Sequence, residues 1–121
     1  MIVKSIEQVD SFTAGDLTTI REILHPKNEP LAIPYSLAYG SLAVGGRSLK
    51  HKLEKSEEVF IILEGMAKAV VAGTEQNLSK GDVLLVPAGA EQHLENIGNV
   101  PVQFLCVVSP PWKKEEERIT E

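Results

Sequence analysis

His51 and Glu58 stand in the stretch GGRSLKHKLEKSEEVFIILEG, residues 45–65. An imidazole nitrogen and a carboxylate oxygen are donor types that hold divalent transition metals. The stretch reads as two strands joined at the turn EKSE, and such a pair can aim His51 and Glu58 at one point. Glu58 begins an otherwise apolar run, and a carboxylate facing inward there needs a partner. A cation supplies one. Residues two apart share a strand face, so Leu53 points with His51, and Phe60 and Ile62 point with Glu58. By the same alternation Glu57 faces solvent. In the competing metal-free arrangement, His51 and Glu58 pair with each other and Leu53 helps to dry the pocket.

The elements that must position these residues are short strands. PYSLAYGSLAV (34–44) is bounded by Pro34 and by Gly45-Gly46. VFIILEG (59–65) and GDVLLVPAG (81–89) are continuous apolar runs of the kind buried on both faces. MAKAVVAG turns back at GTEQ, and PVQFLCVVSPP (101–111) ends on two prolines. TTIREIL (18–24) is ambiguous: Leu17, Ile20 and Leu24 fit a helical stripe, while the preceding AGD and the threonine pair fit a strand. We read it as a strand. Six or more short strands with closely spaced turns indicate a sandwich or barrel with little helix. The charged tail, residues 113–121, is expected to form a helical turn or stay loose, with Trp112 pinning its start.

Composition narrows the function classes. The chain has 121 residues, a length that suggests one domain spanning 1–121. Net charge is −5, and the short basic pair Lys113-Lys114 runs straight into Glu115, Glu116 and Glu117. Nucleic acid is therefore not the expected partner, because phosphate binding needs clustered Lys and Arg. No apolar stretch approaches the roughly 20 residues of a membrane helix, and the N-terminal residues hold no signal-like apolar region. A soluble cytoplasmic protein without membrane contact is the expectation. The single cysteine, Cys106, reads as a small buried hydrophobe. His25, before Pro26, reads as a strand-end or loop residue. No phosphate loop, dinucleotide fingerprint or Ser-His-Asp pattern is present.

The spacing in 45–65 and 81–96 resembles the cupin family. The first cupin motif falls on Gly45, His51, Leu53, Glu58 and Gly65. The second falls on Gly81, Pro87, Gly89, Gln92 and Asn96, in GDVLLVPAGAEQHLEN, with residues 66–80 between the motifs. The resemblance covers about residues 34–108. It implies an all-β, single-domain cupin barrel: a double-stranded β-helix, or jelly roll. It also implies a divalent metal at the bottom of the barrel. Two family positions depart from the pattern: Leu53 stands where a second histidine is usual, and Gln92 where the last histidine is usual. Small prokaryotic cupins with that glutamine are similar.

The implied ligand set is then His51, Glu58 and Gln92, one nitrogen and two oxygens with positions open for water or substrate. His93 is the alternative to Gln92 if a local bulge turns it inward. Leu53, Phe60 and Leu94 are expected to line the substrate pocket, by alternation from the ligands. Zn, Ni, Mn and Fe all suit such a set. The resemblance implies action on a small polar molecule, an isomerisation of the mannose-6-phosphate isomerase-like kind or dioxygen chemistry. The alternative is a metal-free binding or sensing barrel without catalysis. The resemblance also suggests a homodimer formed sheet to sheet, with N-terminal strand exchange as one way to cover edges.

Overall fold

Side-chain alternation builds the barrel. The computed structural model describes residues 1–121. Its strands are β1 (Ser11–Thr13), β2 (Thr19–Leu24), β3 (Ser36–Leu42), β4 (His51–Leu53), β5 (Glu57–Glu64), β6 (Ala67–Val71), β7 (Thr74–Leu78), β8 (Val83–Val86), β9 (Gln92–Asn96), β10 (Val102–Ser109) and β11 (Glu117–Ile119). The helical segments are two single 3₁₀ turns, Ile6–Gln8 and Lys114–Glu116. Along β10, Val102, Phe104, Cys106 and Val108 are buried, while the residues between them are half exposed. Strand β5 repeats the pattern with Glu58, Phe60 and Ile62 inward. Those two inner rows face a second sheet, so one face of each sheet is dry.

One sheet has six strands in the order β1-β2-β3-β10-β5-β8, and the other has five in the order β11-β4-β9-β6-β7. Every pairing is antiparallel. The sequence TTIREIL lies in a strand for all but its first residue, because β-branched Thr19 and Ile20 pair across to β3. β1 pairs with β2 of its own chain.

The core fills one part of the interior. Phe60 and Phe104 meet edge to face at 5.4 Å between ring centres, with Ile62, Val86, Leu94 and Val102 packed around them. Gly40 makes room for this pair: a β-carbon there would sit 2.4 Å from the Phe104 ring. Gly65 is the second obligatory glycine. Its φ is +86°, and a β-carbon would lie 2.8 Å from the Pro101 carbonyl. Asn96, which closes the second motif, locks the loop after β9. Its amide donates to the carbonyls of Leu42 at 3.0 Å and Val100 at 2.9 Å, and its oxygen accepts the Gly98 N–H at 2.9 Å.

The tail differs from the expectation. Rather than staying loose after its helical turn, it adds strand β11 to the edge of β4, pairing Glu117 with Leu53 and Ile119 with His51. Exposed charges on the outer side and one inward acid allow it to lie there. No helix is long and apolar enough to cross a membrane.

Candidate metal centre

The two motifs meet across the barrel. His51 on β4 lies directly opposite Gln92 on β9 in the five-stranded sheet. Glu58 reaches over from β5 of the other sheet, and the Gln92 amide donates to its Oε1 at 2.9 Å. All three side chains are buried. The cavity above them has a volume of about 80 Å³. That is room for roughly six waters, counting one probe sphere for each.

The acids grouped with the His51 ring nitrogens are ones the motif does not contain. His51 Nδ1 sits 2.7 Å from the Leu49 carbonyl, and a carbonyl can only accept, so Nδ1 carries a proton. In the neutral ring Nε2 is then a bare lone pair. That lone pair is 3.5 Å from Asp16 Oδ2. Two acceptors facing one another in a buried site need a proton or a cation between them. Glu117 completes the arrangement: ligand atoms of Asp16, His51 and Glu117 all lie within 4.8 Å of one another. The Leu49 carbonyl behind His51 is the outer support that metal-bound histidines commonly have. One imidazole and two carboxylates therefore fit a divalent cation.

Local structure explains both additions. Asp16 occupies the β1–β2 hairpin, where its Oδ1 accepts from the Thr18 N–H at 3.1 Å and the Thr18 hydroxyl at 2.6 Å. These bonds leave Oδ2 directed at His51. The next residue, Leu17, has φ +75° and an exposed side chain, a sparsely populated conformation for a bulky residue. Glu117 lies opposite Leu53 on the neighbouring strand, so it shares Leu53's inward face. His25 holds the same tail in place. Its Nδ1 accepts the Lys27 N–H at 3.1 Å, so Nε2 donates to the Trp112 carbonyl at 2.8 Å.

Three expected site residues lie elsewhere. His93 points away from Glu58 and contacts Glu95 at 3.3 Å. No bulge turns it, because β9 pairs with β6 in unbroken register from Gln92 to Asn96. Phe60 and Leu94 face inward but belong to the packed core rather than the cavity wall. Leu53 does line the cavity, together with Cys106, Val108 and Trp112. Gln92 lies behind Glu58 and presents its amide nitrogen to it.

Electrostatics single out Glu58. Burial pushes its carboxyl up to about 7, opposed by the Gln92 hydrogen bond and the nearby His51 imidazole, and reinforced by Asp16 and Glu117. Burial also raises Glu117, with Asp16 adding to the effect and His51 and the Trp112 indole opposing it. Cys106 beside Glu58 is held as a thiol, chiefly by burial and then by the neighbouring acids.

A stability prediction follows from Glu58. Between its ordinary value of 4.5 and its folded value of about 7, the folded protein keeps a proton that the unfolded chain has released. Stability from this group is thus full below pH 4.5 and is lost as pH rises through 7. The loss is on the order of 3 kcal/mol for a shift of this size. Urea unfolding of chelator-treated protein should show a higher midpoint at pH 5.5 than at pH 8, and Glu58→Gln should remove most of the difference. Equal midpoints in the unmodified chain would show that Glu58 ionises normally.

Comparison with known proteins agrees with this architecture. A family model described as a cupin domain matches residues 38–108. The uncharacterized protein MJ1618 of Methanocaldococcus jannaschii is 35% identical over 121 residues, covering 100% of this chain and 96% of that one. A predicted oxalate decarboxylase from Thermotoga maritima superposes with a TM-score of 0.81 at 21% identity, over 90% of this chain and 99% of that chain. Streptomyces Pac13, described as a unique nucleoside dehydratase, superposes at 0.79 with 12% identity, over 100% of this chain and 92% of that chain. At those identities the two structures speak for the fold alone. With the family match spanning more than half of its residues and two antiparallel sheets closing around His51, the chain belongs to the cupin family.

Proposed function

We propose that this cupin holds a divalent transition metal on His51, Asp16 and Glu117 and acts as an enzyme on a small molecule bound above them. The observation that carries the reading is the buried grouping of His51, Asp16 and Glu117, whose ligand atoms all lie within 4.8 Å of one another, with His51 Nε2 3.5 Å from Asp16 Oδ2. A divalent first-row metal suits one nitrogen and two carboxylate donors. When bound, it supplies Lewis-acid polarisation of a substrate oxygen. The chain's own contribution is proton handling. Glu58, with its carboxyl near 7, can hold or release a proton at neutral pH, and Gln92 fixes its orientation. That pairing favours isomerisation by proton transfer over dioxygen chemistry. Leu53, Val108 and Trp112 exclude water around it. The unpaired Cys106 suits a cytoplasmic setting.

The test is metal content by mass spectrometry on untagged protein. Wild type should carry about one transition metal per chain. Asp16→Asn and Glu117→Gln should lower it sharply, and Gln92→Ala should leave it largely intact. A metal-free wild type under every loading condition would favour the second reading, a binding or sensing barrel without catalysis. One contact supports that second reading: the Gln92–Glu58 hydrogen bond partners both groups without a cation.

We also propose a homodimer through the outer face of the six-stranded sheet. Val83 and Leu85 on its edge strand β8 are exposed, at 64% and 54%. They continue in register into Ile61 and Val59 on β5, then Leu105 and Val107 on β10. A contiguous apolar sheet face of this kind marks an interaction surface. Light scattering after gel filtration should give twice the chain mass of 13.2 kDa, and Leu85→Lys should shift it toward one chain. A wild-type monomer at high concentration would exclude the dimer.

A further inference from the structure

We propose that the cavity takes a small, largely apolar molecule that is neutral or bears an amino group, and rejects carboxylates and phosphates. The proposal rests on the reading of this barrel as a ligand site. Its basis is the charge of the wall. Four acids, Asp16, Glu22, Glu58 and Glu117, line the cavity against two imidazoles, His25 and His51, and no Lys or Arg lines it. The nearest cation is Lys27 at the rim, an exposed side chain 3.9 Å from Glu22 and 5.5 Å from the centre of the Trp112 ring. It does not reach the interior wall.

A divalent cation on His51, Asp16 and Glu117 offsets two of the four carboxylates, and Lys27 at the rim pairs with Glu22. Glu58 remains, so the interior is neutral or negative and never positive. An entering anion therefore meets like charge in a poorly hydrated space, with no guanidinium or ammonium to replace its lost water. An amine meets the opposite situation, with a carboxylate waiting as its acceptor. Half of the lining residues are hydrophobic, which fits an aliphatic body, and about 80 Å³ limits that body to a few carbons.

The experiment titrates the metal-loaded full chain at pH 8 with 3-methylbutylamine, 3-methylbutan-1-ol, 3-methylbutanoate, oxalate and inorganic phosphate. Binding is read by ligand-observed NMR, and chelator-treated protein forms a second arm. The amine should bind most tightly, the alcohol measurably, and the three anions at least about tenfold more weakly than the amine in both arms. Glu58→Gln should narrow the amine-to-carboxylate ratio, while Glu75→Gln, at an exposed acid on β7 away from the cavity, should change it little. Any anion matching the amine in either arm overturns the proposal. So does failure of both amine and alcohol to bind, or a ratio unchanged in Glu58→Gln. If the chain takes up no metal, the metal reading fails separately, and the chelator-treated arm still decides the ligand class.

Discussion

His51→Ala protein should purify without metal under conditions that leave about one equivalent on wild type. His51 is the one nitrogen donor in the centre, and removing it leaves Asp16 and Glu117 facing one another with only oxygens to offer. Loss of an outer-shell partner alone typically costs a site 10- to 100-fold in affinity, so loss of a direct imidazole ligand should cost on the order of a hundredfold or more. The fold should survive. His51 contributes one hydrogen bond, to Leu49, and the neighbouring β4–β11 pairing is made by backbone groups. The expected outcome is a folded, metal-poor protein, read by metal analysis beside circular dichroism. A variant retaining the wild-type metal content would place the metal elsewhere.

Deleting residues 112–121 should have a still broader effect, removing metal and lowering stability together. The tail is a structural wall of the site as well as its source of Glu117. Trp112 is tied through both of its backbone polar groups: its N–H donates to Ser36 Oγ at 3.0 Å, and its carbonyl accepts from His25 at 2.8 Å. Further along, Glu116 accepts the Glu54 N–H at 3.0 Å, and Thr120 donates to the Lys50 carbonyl at 2.8 Å. Glu121 accepts from Lys50 N–H at 2.7 Å and pairs with Arg47 at 2.6 Å. At about 1 kcal/mol for each hydrogen bond with some shelter from solvent, and with Leu53 newly exposed, the loss should be on the order of 3–5 kcal/mol. Urea unfolding reads the stability and mass spectrometry the metal. Glu117→Gln separates the two effects, because it should lose metal while keeping most of the stability. A deletion protein with the wild-type midpoint would mean that the tail is a passive appendage.

The sequence carried some of this centre and hid the rest. His51 and Glu58 were legible because each lies on a strand, where alternation alone fixes the side. The barrel was legible from glycine and proline punctuation and from the motif frames. Gln92 came from the frame and not from any property of its own surroundings. Phe60 and Leu94 show the limit of alternation. It says that a residue faces inward but not whether the interior at that depth is cavity or packed core, and Phe104 fills the space beside both. Asp16 and Glu117 were hidden for different reasons. Asp16 sits in a hairpin, where no period applies and where its bonds to Thr18 set its direction. Glu117 ends a run of three acids whose composition is that of a solvated tail. Only its pairing with Leu53, a contact 64 positions distant in the chain, turns it inward.

Anomalous X-ray diffraction from crystals grown with a transition metal tests the central claim most directly. The expected result is a single strong peak inside the barrel, about 2.0–2.2 Å from His51 Nε2 and from one carboxylate oxygen each of Asp16 and Glu117. A peak held by Glu58 and Gln92 without Asp16 and Glu117, or a barrel without any peak at saturating metal, would contradict it.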